Sequence, residues 1–287
     1  MTVDFIYNFM IDLLPGFLGN DFLLILAMLL PFFALFGFIT VYGFGVIYAE
    51  LKVSSFIQDK TGPMGQGYGF HAGKWGFLQP VADGLHLFFK EDIIPATADR
   101  PLFILAPFLI FIGMFVGIIA IPFGEAIIIS DMNIGIFYIL GVGSLAVIAL
   151  ILAGWSSNNK WALYGGMRSA AQIISYEIPA GLSLIVVILL ASSLSMQEII
   201  SYQSGGLFNW IIFDNPFMPI AFIIFFISAL AETNRTPFDL PESESELVAG
   251  FVTEYSGARY AFFFLSEYVN MFVISAVAST AFLGGWQ

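Results

Sequence analysis

Carboxylates are the residues of this chain most able to do chemistry. The stretch AETNRTPFDLPESESELVAGFVTEYSG, residues 231–257, holds Glu232, Asp239, Glu242, Glu244, Glu246 and Glu254 against one arginine, Arg235. Two further acids fall inside long apolar runs: Glu177 in RSAAQIISYEIPAGLSLIVVILL and Glu267 in YAFFFLSEYVNMF. Ionisable groups in hydrocarbon are costly and face a polar interior. Crowded carboxylates cannot all ionise cheaply, so some pKa values rise and their titrations couple. Such a series suits a hydrated proton path or a charge-sensing switch. A charge run on a solvated face and structural carboxyls satisfied by a partner are the plainer alternatives. Two features favour the path. The acidic stretch leads straight into the segment carrying Glu267, and no Lys or Arg occupies a span interior to pair with Glu177 or Glu267.

The elements that position these acids are apolar helices. The 287 residues are 59% hydrophobic and 10% charged, with 33 Phe and a mean hydropathy of +0.91, which indicates an all-α integral membrane protein. A bilayer core of ~30 Å needs roughly 20 apolar residues per helix. Six segments read as spans: about 22–49, 102–122, 133–154, 163–193, 217–233 and 259–283. Glu177 lies nine residues beyond Arg168, roughly 13 Å along a helix and well below the surface, and Pro179 is expected to kink that helix. Glu232 and Arg235 are spaced for an i,i+3 ion pair if the fifth span continues through them. Pro237 and Pro241 then make FDLPESESE an irregular loop, in which Glu242, Glu244 and Glu246 alternate and project from one face of an extended chain.

Charge placement orients the chain. All nine basic residues fall in 50–101, 155–170 and 232–259, whereas 1–21, 123–132 and 194–216 hold seven acids and no base. By the positive-inside rule the N-terminus lies outside, and the connection 50–101 and the acidic loop 234–258 face the cytoplasm. With Asp4, Asp12 and no base, the N-terminus does not read as a cleaved secretory signal. The chain reads as one polytopic membrane domain, 1–287, without internal repeats.

WGFLQPVADGLHLFFKED, 75–92, reads as a short amphipathic helix along the membrane surface. Leu78, Val81, Leu85 and Phe88 form an apolar stripe, and Gln79, Asp83, His86 and Lys90 a polar one. It is either an interfacial anchor or the lining of a cavity entrance. The glycines of GQGYG do not make a nucleotide loop, because no strand precedes them and no Gly-Lys-Ser/Thr follows. With no Cys and only His71 and His86, no metal site, iron–sulfur cluster or other electron carrier of its own is expected.

At the acidic stretch the sequence resembles a known family: the membrane component, often called the H subunit or subunit 1, of the proton-pumping NADH:quinone oxidoreductase, respiratory complex I. The motifs are AETNRTPFDLPESESELVAGFVTEYSG, RSAAQIISYE, GWSSNNK, LQPVADGLHLFFKEDIIPA and the terminal FLGGW, spanning about 50 to 286. The resemblance implies a bacterial inner-membrane subunit that forms the inner part of the quinone chamber. Its substrate would be ubiquinone or menaquinone, with no covalently bound cofactor. Implied partners are the iron–sulfur and quinone-site subunits of the peripheral arm, small neighbouring membrane subunits, antiporter-like subunits and lipid, with no nucleic acid. Carried over by motif, Glu50, Lys60, Asp83, Arg168, Arg235 and Asp239, together with Glu232, line the quinone cavity or its mouth. Glu177, Glu232, Glu242, Glu244, Glu246, Glu254 and Glu267 then belong to the acidic loop and proton path.

Three departures from the family pattern bear on these roles. Glu50-Leu51-Lys52 stands where the family reads Glu-Arg-Lys, which removes a cavity arginine at 51. Lys60-Thr61-Gly62-Pro63 replaces Arg-x-Gly-Pro and is followed by a Gly-rich insert, and His86 takes the place of the usual Lys. The family also adds two spans after GGW, eight in all, so the C-terminus is expected to be incomplete at Gln287. The related subunit of a membrane-bound hydrogenase is the alternative function, against which the intact PFDLPE and EYSG argue. A stand-alone antiporter is expected to carry a mid-span Lys, and a passive anchor has no use for buried carboxylates.

Overall fold

A computed structural model describes residues 20–63, 75–125, 127–239 and 244–287, with the backbone alone for 20–22, 25, 28, 244 and 245. Helices joined by turns make up the described residues, with no strand. In chain order the elements are α1 (Asn20–Ile57), α2 (Gln79–Phe89), α3 (Arg100–Ile118), α4 (Gly135–Ser156), α5 (Lys160–Ala191), α6 (Met196–Tyr202), α7 (Ile211–Asp214), α8 (Met218–Glu232), α9 (Glu244–Leu247) and α10 (Gly257–Phe282). Five helices, α1, α3, α4, α5 and α10, are long and apolar enough to cross a membrane. Apolar α8 is the sixth of the expected series. It has only 15 residues, about 22 Å of rise, and is short for a perpendicular crossing.

The core is an α3–α4–α5–α8 succession closed by α10 against α3. Interhelical seams in such bundles depend on small residues that let backbones approach. On Gly154 a Cβ would meet the Ala162 carbonyl oxygen at 2.6 Å, and on Gly166 it would meet that of Leu150 at 2.9 Å, so α4 and α5 touch backbone to backbone. One step round α5, a Cβ on Gly165 would stand 2.6 Å from the backbone of Gly250 and Phe251. That contact holds the 3-10 turn Gly250–Val252, the end of the acidic stretch, against α5.

The surface helix is present as Gln79–Phe89, and Gln79 Nε2 donates to Asp83 Oδ1 at 2.8 Å within its polar stripe. Leu78, Leu85, Phe88 and Phe89 are exposed, so its apolar stripe faces away from the chain. α1 continues to Ile57, which places Glu50 and Lys52 on a helix rather than in the loop that follows. α5 runs unbroken through Pro179, whose missing N–H deprives the Ser175 carbonyl of its i+4 donor. The loop expected over FDLPESESE is in part a helical turn, because Glu244–Leu247 is α9. Alternation on an extended chain therefore does not hold there: successive residues of a helix are 100° apart, so i and i+2 do not share a face.

Gly165→Ala is expected to force the 3-10 turn off α5 and to cost about 1–3 kcal/mol, the usual range for overpacking. Thermal unfolding of the purified membrane complex checks this, with the exposed Ser54→Ala as the neutral comparison.

Candidate functional site

The expected pairing of Glu232 with Arg235 does not occur. α8 ends at Glu232 in a Schellman motif: the Arg235 N–H donates to the Leu230 carbonyl at 3.1 Å, the Asn234 N–H donates to that of Ala231 at 3.3 Å, and Asn234 takes the left-handed conformation (φ 50°). Asn serves where Gly is usual because its short polar side chain tolerates that region. The turn carries Arg235 out of helical register with Glu232 and towards α1. Gln172 of α5 fixes it, its Nε2 donating to the carbonyls of Ala231 (2.9 Å) and Phe238 (2.8 Å) and to Asn234 Oδ1 (3.2 Å).

Arg235 instead meets Glu50, Nη1 to Oε1 at 2.6 Å, and lies over the Tyr268 ring with Cζ 4.9 Å from its centre. The Tyr268 hydroxyl donates to the other Glu50 oxygen at 2.9 Å. Burial opposes the guanidinium charge, but Tyr268 and Glu50 outweigh it and hold the group above its ordinary value. Three helices thus contribute to one charge-assisted cluster: Glu50 from α1, Tyr268 from α10 and Arg235 from just past α8.

Two small cavities lie between α3, α4, α5, α8 and α10, and Asn234 and Glu267, the chain neighbours of Arg235 and Tyr268, line the second. They measure about 40 and 30 Å³, and by this measure a water needs roughly 10–15 Å³. Each has room for a few waters and none for a quinone. Glu232 lines both, and Glu267 lines the second. Glu177 is within electrostatic reach of Glu232 and accepts a 2.6 Å hydrogen bond from Ser144 Oγ of α4. A Cβ on Gly143, the residue before Ser144, would stand 3.9 Å from Glu232 Oε1.

Other candidates lie apart from this series. Arg168 and Glu246 form an exposed pair at 3.0 Å. Glu254 accepts from Asn159 Nδ2 at 2.6 Å, while Asn159 Oδ1 caps α5 through the Trp161 N–H. Lys60 is exposed and donates to Gln58 at 2.8 Å, and Asp83 and Asp239 are exposed. Glu242 lies outside the described residues, and so does the side chain of Glu244. Tyr268, Gln172, Ser144 and Asn270 escaped the sequence reasoning. Only Tyr268 carried a signal, its place beside Glu267 on a helix that follows the acidic stretch.

The EYSG segment seals the site to the surface loop after α2. Ser256 Oγ donates to the Glu91 carbonyl at 3.2 Å, and Arg259 pairs with Asp92 at 3.2 Å. Tyr255 stacks on Phe103 with ring centres 4.0 Å apart and donates to the Phe103 carbonyl at 3.2 Å.

Residues 29–287 match the family model described as NADH dehydrogenase. Among the relatives, the H subunit of NADH-quinone oxidoreductase from Chlorobaculum tepidum is 50% identical over 281 residues, covering 96% of this chain and 75% of its own. The chain belongs to the H-subunit family of NADH-quinone oxidoreductase. The corresponding H subunit of Geobacillus sp. is 51% identical over 255 residues (89% of this chain, 72% of the relative). An H subunit from Geobacter sulfurreducens, the one numbered 1, is 48% identical over 260 residues (84% and 72%). The region matched to the family contains the Glu50–Arg235–Tyr268 cluster, both cavities and Glu177.

Burial pushes the Tyr255 phenol up to about 12, although its contacts with Ser156 and Arg259 pull the other way. A phenol raised in the folded state stabilises below its unfolded value near 10 and loses that contribution as pH climbs through the folded value. Stability of the purified complex is therefore expected to fall between about pH 10 and 12, and Tyr255→Phe to flatten that fall. Unfolding midpoints of both proteins across this window provide the check.

Proposed function

We propose that this chain is the membrane subunit that walls the quinone-reaction chamber of NADH-quinone oxidoreductase and couples quinone reduction to proton transfer through a series of carboxylates. The observation that carries the reading is the run of neighbouring acids: Glu50 held by Arg235 and Tyr268, Glu267 within electrostatic reach of Arg235, Glu267 and Glu232 on one cavity, and Glu177, bonded to Ser144, within electrostatic reach of Glu232. Family membership supplies the substrate, a quinone. The chain, without Cys, supplies positioning and electrostatics, while electrons arrive from iron–sulfur subunits of a peripheral arm docked on the polar loops.

Reduction of a quinone takes two electrons and two protons, so negative charge develops in the chamber before protons follow. That charge competes with Glu50 for Arg235, and any loosening of this pair alters the field at Glu267, which Arg235 also feels. The acidic loop 237–254 responds as the bistable element. It is tied to α5 at one end by Gln172 and at its middle by the exposed Arg168–Glu246 pair. Glu50, Arg235 and Asp239 form the chamber side, with Asp83, Lys60 and Arg168 towards the mouth. Glu232, Glu267 and Glu177 form the path. Glu242, Glu244, Glu246 and Glu254 belong to the responsive loop.

The apolar stripe of α2 lies in the interface beside the entry. All nine basic residues fall in 50–101, 155–170 and 232–259, the polar connections and the helix ends that adjoin them, which supports a cytoplasmic position for those connections and an N-terminus outside a bacterial inner membrane. Antiporter-like and small membrane subunits lie beyond Glu177. The chain acts as one polytopic domain, with the 50–101 and 234–258 connections on the cytoplasmic side.

Glu177→Gln and Glu232→Gln are each expected to lower NADH-driven proton translocation at least ten-fold in membrane vesicles. Glu246→Gln, on the responsive loop, is expected to lower it two- to five-fold. Wild-type translocation in all three would remove the carboxylate series from the mechanism.

A further inference from the structure

The two cavities are not independent. Met114 of α3, Gly143 of α4, Glu232 of α8 and Asn270 of α10 line both, so these four residues form the neck at which the cavities meet. Asn270 is 8% exposed, and no protein group among the described residues hydrogen-bonds its side-chain amide. It stands three residues after Glu267, one turn along the same face of α10. A buried amide without a protein partner costs about 1–3 kcal/mol unless water satisfies it, and the cavities on either side have room for that water.

We infer that Asn270 is a positioning residue that holds the water joining Glu267 to Glu232, and so controls proton passage between the two cavities. An amide has two donors and a carbonyl acceptor but does not itself exchange charge near neutral pH. It fixes a water in orientation without becoming a stop on the path. In the step it governs, neutral Glu267 gives its proton to the neck water, and that water passes one of its own protons to the Glu232 carboxylate. One O–H bond breaks at Glu267 and one forms at Glu232; the water is regenerated and the charge moves from Glu232 to Glu267. Gly143 leaves the space for this water, Met114 closes its apolar side, and Asn270 orients it. The titratable groups around the neck are Glu232 on α8, Glu267 on α10 and, beyond Glu232, Glu177 on α5; α3 and α4 face it with Met114 and Gly143.

This inference rests on the carboxylate path proposed above, and the test separates the two. The whole complex carrying Asn270→Leu, Asn270→Ser, Asn270→Asp or Glu232→Gln is assayed in native membrane vesicles. Proton uptake driven by NADH and a short-chain quinone is normalised to the rate with an artificial electron acceptor, which reports the amount of assembled complex. Leucine matches Asn in size but cannot hold a water, and is expected to lower normalised uptake at least five-fold. Serine keeps a donor and an acceptor and is expected to stay within two-fold of wild type. Aspartate adds a titratable group at the neck and is expected to move the midpoint of the uptake–pH profile by at least half a unit, which a purely structural role would not do. Wild-type uptake in Asn270→Leu with loss in Glu232→Gln overturns the neck and leaves the path standing. Wild-type uptake in both overturns both. If Asn270→Leu does not assemble, an unmoved profile in Asn270→Asp overturns the neck, and a moved one supports it.

Discussion

A carboxylate inside a bilayer sets the terms for everything else in this molecule. Insertion scales put its cost at roughly 2.5–3.5 kcal/mol at mid-membrane, more than the ~1 kcal/mol of an ordinary hydrogen bond. One partner is therefore not enough, and acids at depth have to share donors and waters. The chain meets this by gathering them. Glu177 takes the Ser144 hydroxyl and Glu232 faces two water-sized cavities, while the exposed Glu50, nearer the polar end of α1, is held by Arg235 and Tyr268.

Backbone devices make that gathering possible. The left-handed Asn234 ends α8 and turns Arg235 away from the acid three residues before it, leaving Glu232 to the cavities. Had the helix continued, the i,i+3 pair would have tied up both groups at one place, and Arg235 would not reach Glu50 and Tyr268. Gln172 reinforces the turn from α5, and the glycine seam of Gly154, Gly165 and Gly166 brings α4, α5 and the 250–252 turn within backbone contact.

Much of this was legible in the sequence. Six apolar helices, the surface helix and the depth of Glu177 and Glu267 follow from hydropathy and spacing, because lipid enforces length and composition directly. The motif resemblance put Glu50 and Arg235 in one group, and the two side chains do pair. What could not be read was who meets whom. The Arg235–Glu50 pair joins residues 185 apart in sequence, and the roles of Ser144, Gln172 and Asn270 depend on which way a helix is rotated. Polar residues of middling hydropathy leave no trace of that in a single chain. The expected Glu232–Arg235 pair failed for a related reason, since Pro237 marked the end of the helix too late and Asn234 gave no composition signal for a left-handed turn.

The long sequence separations also fix a timetable. Glu50 leaves the ribosome with α1, but its partners come 185 and 218 residues later, with Arg235 and Tyr268. The surface loop at Glu91 likewise waits for Ser256, 165 residues downstream. No shorter nascent chain can complete the Glu50–Arg235–Tyr268 cluster, so these contacts are among the last of the described chain to come into being.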